Sequence, residues 1–183
     1  MNRRKKRVAN KEEGMMTKLR DAAEADFPAI LNLNALEVRQ TSPLDAGQLA
    51  DLHTLSCFHQ VATVHGQVAG FLLALPQGTP YQSDNYTWFD SRYPSFIYVD
   101  RIVIGADYSG QGIGGQLYRA LFRFARDNAV PLITCEYNIE PPNPGSRAFH
   151  ARFGFLEVGQ QSLPGGKRVS LQMVDPDIGL VGR

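Results

Sequence analysis

The run Asp107-Tyr-Ser-Gly-Gln-Gly-Ile-Gly-Gly-Gln-Leu117 sets four glycines between a strand-like segment and a helix-like one. Glycine enters left-handed backbone without a Cβ clash, and the first amides of a helix have no internal acceptor. Such a junction therefore turns N–H groups toward an anion, and a phosphorylated ligand is the first expectation. Upstream, Phe96–Ile104 is aromatic and β-branched with Asp100 and Arg101 as its only charges, which predicts a strand buried on both faces. Downstream, Ile113, Leu117, Leu121, Phe124 and Ala125 recur at helical spacing.

A chain of 183 residues, 43% of them hydrophobic, is long enough for one sizeable core. The reading is a flexible basic extension over 1–16, one domain over 17–174 and a tail over 175–183. Arg3, Arg4, Lys5, Lys6, Arg7 and Lys11 against Glu12 and Glu13 make the start basic, so the rest of the chain is mildly acidic. A terminal charge run reads as solvated in preference to a nucleic-acid or lipid contact. Neither partner is expected. No secretory pattern follows the run, and nowhere do about 18 apolar residues stand together, so the expected location is cytoplasmic. Met15 and Met16 stand where a second translation start would fall.

Strands and helices alternate along the chain. A strand near Lys18–Arg20 precedes a helix opening at Asp21 or Glu24 and ending near Leu36; a second helix runs from about Leu44 to His53. His59–His65 and Val68–Leu75 read as a hairpin turning at Gly66-Gln67. The next connection, roughly 20 residues between Pro76 and Ser95, carries Tyr81, Tyr86, Trp88, Phe89 and Tyr93. It is either a wall for a substrate or a short helix capping the core. Leu132–Tyr137 is a strand, and Asn143 with Pro144 opens a helix that Gly154 ends. A terminal hairpin turns at Pro164-Gly-Gly166.

Cys57 and Cys135 lie in apolar contexts at a spacing that fits no zinc or redox motif and read as buried free thiols. His59 and His65 read as surface residues of one strand, since no carboxylate or thiol completes a metal set with them. No metal is expected.

The succession Tyr98–Ile104, Tyr108-Ser-Gly-Gln-Gly-Ile-Gly114, Asn143-Pro-Gly-Ser146 and Phe149-His-Ala-Arg-Phe-Gly-Phe155 resembles the GNAT superfamily of acetyl-CoA-dependent N-acetyltransferases over roughly residues 17–174. The resemblance implies an α/β (α+β) fold with a mixed, mostly antiparallel central sheet of about six or seven strands. The sheet would splay at the strand before the glycine turn, with about four helices around it. Acetyl-CoA would enter the opening as cosubstrate, its pyrophosphate on the N–H groups of Gln111, Gly112, Ile113, Gly114 and Gly115. Its pantetheine would lie along Ile102, Val103 and Ile104, with the Val103 N–H as oxyanion donor, and Asn143 and Ser146 would touch the CoA arm. Two departures stand out. Ser109 replaces the family's usual Gln or Arg, and His150 replaces its usual tyrosine proton donor.

The implied activity is transfer of an acetyl group to a primary amine, taken to belong to a small molecule, by direct attack in a ternary complex. An amine of solution pKa about 10.4 must lose a proton first, and Asp100 and Glu136 are the candidate bases, Asp100 preferred. The alternative for Asp100 is an internal pair with Arg101 or Arg147. His150 is the candidate acid, or else a structural histidine. Exposed hairpin edges leave room for a homodimer. Two other readings stay open: an acyl-CoA-binding sensor without transfer, and an NAD(P)-binding protein, since Gly110, Gly112, Gly115 and Glu136 also match a dinucleotide fingerprint.

Overall fold

The computed structural model describes residues 16–38 and 41–178. The expected extension lies almost wholly outside them, as do residues 179–183. Seven strands form one sheet: β1 (Thr17–Asp21), β2 (Phe58–Val64), β3 (Gln67–Pro76), β4 (Ile97–Ile104), β5 (Ile133–Glu140), β6 (Leu156–Ser162) and β7 (Arg168–Val174). Their order across the sheet is β1-β2-β3-β4-β5-β7-β6. Every neighbouring pair is antiparallel except β4 with β5, which is parallel. Among the described residues five α-helices flank the sheet: α1 (Phe27–Leu36), α2 (Ala46–Leu55), α3 (Asp84–Asp90), α4 (Ile113–Asp127) and α5 (Pro144–Arg152). Among the described residues no helix is long and apolar enough to cross a membrane.

Local chemistry explains most boundaries. Pro28 falls in the first turn of α1, where its missing N–H costs nothing, and a 3₁₀ turn over Glu24–Asp26 supplies the earlier residues expected to be helical. Asp45 begins α2 two residues later than expected, because its side chain accepts the Gln48 N–H while Gln48 bonds back to Asp45. The first hairpin turns at His65-Gly66, both at positive φ, one residue earlier than expected. His65 is thus a turn residue. His59 is buried, its Nδ1 2.8 Å from Nδ1 of His53, so the surface role expected for it is corrected. The 76–95 connection contains α3, whose Tyr86 and Phe89 are fully buried.

One irregularity positions the cleft. In the β3–β4 pairing Val99 faces Ala74 and Arg101 faces Leu73, so Asp100 is an extra residue without an opposite. A bulge of this kind bends its strand and exchanges the faces of all later residues. Ile97 and Val99 pack with α4 on one side of the sheet, whereas beyond the bulge Ile102 and Ile104 take that side and Val103 packs with α1 and α2. Bent at this point, β4 meets β5 only at Ile97–Ile133 and Tyr98–Thr134. From Val99 onward the two strands part.

Candidate active site

At the open end of the cleft lies the glycine turn. Gly112, the residue before α4, has φ +80° and Gly110 φ +74°, and a Cβ built on either would meet nothing within 4 Å. The constraint there is backbone conformation, and the space above the turn is free. The Gly112 carbonyl accepts the Gln116 N–H at 3.0 Å, while the amides of Ile113, Gly114 and Gly115 have no acceptor within the helix. Gln111 ties the turn by donating its side-chain amide to the Asp107 carbonyl at 3.0 Å. At Gly114 a Cβ would stand 3.3 Å from the Phe149 ring, so this glycine lets α5 close on α4. The Arg119 guanidinium folds back to 3.3 Å from where a Gly115 Cβ would lie. That brings a cation to the positive end of a helix, an arrangement that an anion stabilises. Diphosphate fits this cradle on each count.

From the turn a groove of about 280 Å³ runs between Ile102, Val103 and Ile104 on one side and Asn143, Ser146 and Phe149 on the other. Gly105 donates its N–H to the Ala69 carbonyl, and by alternation Val103 is hydrogen-bonded to its opposite residue, Phe71. The N–H groups of Ile102 and Ile104 therefore face the free edge, and the donor expected at Val103 is corrected: its amide belongs to the β3 ladder. Without the bulge the alternation would have given Val103. Asn143 accepts the Ser146 N–H at 3.0 Å and caps α5, with Ser146 one turn inside.

The groove leads into a cavity of about 390 Å³, with Ile102, Asn143, Ser146 and His150 lining both. Both candidate bases are here. Asp100 is buried against Arg101, Oδ2 to Nε 2.6 Å, and accepts the Tyr81 hydroxyl at 2.6 Å. Arg101 also donates to Asn34 on α1 at 2.8 Å, fixing the charge pair from behind. Among the described residues the donors to Glu136 are neutral, the Tyr98 hydroxyl at 2.8 Å and the Asn85 side chain. Burial raises its pKa to about 7, with the Tyr98 bond acting downward and the charge of Asp100 adding to the rise. Burial also holds the Tyr98 phenol well above its ordinary range, so it remains an O–H donor.

His150 is buried behind the groove. Its Nδ1 lies 2.7 Å from the Ser146 carbonyl, which requires N–H there, and its Nε2 is 2.8 Å from the Tyr118 hydroxyl and accepts from it. Burial lowers its pKa to about 4, the Ser146 bond acting upward. The imidazole is neutral near pH 7 and keeps no N–H free for a sulfur. Cys135, at the same depth on β5, has its thiol pushed well above the usual range by burial. It is a poor nucleophile. Tyr81, Tyr98, Asn85, Arg119 and Lys167 belong to the site without having been expected as site residues. Of these only Tyr81 carried a signal, as an aromatic in a long connection.

A model described as the acetyltransferase (GNAT) family matches residues 16–155. No curated protein matches the sequence. Among solved structures the chain is similar to Ard1 from Thermoplasma volcanium, at 15% identity and a TM-score of 0.71 over 87% of this chain and 97% of that one. It is similar to yncA from Salmonella typhimurium, solved with its cofactor acetyl-CoA, at 18% identity and a TM-score of 0.67 over 88% and 95%. A third is the ribosomal-protein-alanine N-acetyltransferase of Brucella melitensis, at 22% identity and a TM-score of 0.65 over 86% and 99%. At these identities the likeness is one of fold.

Proposed function

The chain belongs to the GNAT acetyltransferase family, and on that premise we propose that it moves the acetyl group of acetyl-CoA directly onto the primary amine of a small molecule held in the 390 Å³ cavity. The observation that carries this reading is the continuity of three parts. An amide cradle opens to a groove along the unpaired edge of β4, and the groove leads into a cavity lined by the half-buried carboxyl of Glu136, whose pKa is raised to about 7.

In this reading the amides of Gln111 through Gly115, with Arg119, hold the diphosphate, and pantetheine lies against Ile102 and Ile104. The Ile102 N–H, where groove and cavity join, stabilises negative charge developing on the thioester oxygen. Glu136 takes the proton from the acceptor ammonium, so that a neutral amine attacks. Asp100, neutralised by Arg101 and bonded to Tyr81, shapes the wall. Cys135 as a buried thiol offers no acyl-enzyme route, which favours direct transfer. His150 acts here as a positioning residue: with Tyr118 it anchors Ser146 and the start of α5 beside the groove.

A small acceptor is favoured by the modest volume of the cavity. The segment before α2 and the turn before β7 approach each other along its wall, Lys167 Nζ standing 3.5 Å from the Thr41 carbonyl, and Tyr81 walls another side. The Brucella melitensis structure, named a ribosomal-protein-alanine N-acetyltransferase, makes a protein the competing acceptor. Thiol release from acetyl-CoA, followed over a panel of small amines and N-terminal peptides, tests the proposal. Acceptor-dependent turnover with small amines supports it; turnover with peptides alone would move the acceptor to a protein.

A further inference from the structure

Lys167 is the unusual charge of the acceptor cavity. Arg101 has its partner in Asp100, and Glu136 is bonded by neutral donors. Lys167 lines the same space, yet among the described residues it makes no ion pair, and the one hydrogen bond of its ammonium is the long contact to the Thr41 carbonyl. Among the described residues the remaining charged lining residue, Asp84, is exposed on the start of α3. A lysine held inward by the turn before β7, and left without a counter-charge, creates a field that an anionic group on the acceptor would satisfy.

We propose that the acceptor is an amine that also carries an anionic group, a carboxylate or a phosphate monoester, bound through Lys167 while its nitrogen reaches Glu136. This rests on the reading of the cavity as the acceptor site. Arg101, tied to Asp100, Asn34 and the Ser42 segment, adds no free charge, so discrimination falls on Lys167. A cavity near the lower end of the usual 300–1,000 Å³ for ligand sites suits a compact zwitterion and not a long polyamine.

The test is calorimetric, on the full chain saturated with CoA, using matched probes: α-amino acids, aminoalkyl phosphates and the same amines lacking the acidic group. The acidic member of a pair should bind at least tenfold more tightly. Lys167→Gln should abolish that preference, and Lys167→Arg should keep most of it. The carboxylate and phosphate arms tell which anion is read. Equal binding of acidic and non-acidic probes, or a preference that survives in Lys167→Gln, would overturn the proposal. Acetyl transfer is assayed in parallel. Lys167-dependent binding without any transfer would count against the catalytic reading while leaving the anion site in place.

Discussion

At the scale of single residues, two carboxylates on facing strands have been given different work by their neighbours. Asp100 sits against a guanidinium, so removing its charge strands Arg101 in the interior. Asp100→Asn should cost about 3–5 kcal/mol, the usual penalty for breaking one half of a buried ion pair, seen as a lower urea midpoint. Glu136 makes no ion pair among the described residues and is raised to about 7 chiefly by burial, against a small downward pull from the Arg101 charge. As a base it must be ionised, so kcat/KM should fall as pH drops through about 7. Glu136→Gln should lower kcat by about 100-fold or more and remove that acid limb. A Glu136→Gln enzyme with parental rate and profile would assign proton removal elsewhere.

Among the elements, the turn before α4 matters for its backbone, and a control is available in the same molecule. Gly112 and Gly66 have nearly the same positive φ and open space where a Cβ would go, but Gly66 lies in the β2–β3 hairpin turn. Alanine at either should cost about 1–2 kcal/mol of stability through left-handed strain. Only Gly112→Ala should weaken CoA binding in a calorimetric titration, since relaxing that turn misaims the amides. If both variants bind CoA alike, the cradle is not the anchor. The β4 bulge is the other element-level feature, because one extra residue decides which amides border the groove.

Across the whole molecule, buried ionisable groups set the pH dependence of stability, and they oppose one another. His59 and His150 have pKa values lowered to about 4, chiefly by burial. Between pH 6.5 and 4 the unfolded chain binds protons that the folded one refuses. Each histidine then removes up to about 1.4 kcal/mol per pH unit on acidification. Glu136 works the other way: between its ordinary pKa and about 7 the folded state holds a proton that the unfolded state releases, so acidification stabilises. Urea melts at pH 7 and pH 5 should show a net loss in acid, and Glu136→Gln should steepen it. Equal slopes for parent and variant would mean that Glu136 is not shifted as described.

Strand order along the chain, the glycine turn, the Asn143-Pro144 helix start and the family motifs were all legible in the amino-acid sequence. They depend on periodicity, cap chemistry and φ preferences that act within a few residues. The roles inside the cleft were not legible. The Asp100 bulge arises only when β4 is laid against β3, and it moves the free amides from Val103 to Ile102 and Ile104. His150 acquires its constraint from Tyr118, 32 positions away, Arg101 from Asn34 across 67 positions, and Lys167 meets Thr41 across 126. Burial and partnership set charge state and hydrogen-bond capacity, and both are properties of the packed molecule. Sequence therefore determined the elements and the glycine cradle that frame the cleft, and tertiary structure decided which side chains line it and which of them are free to act.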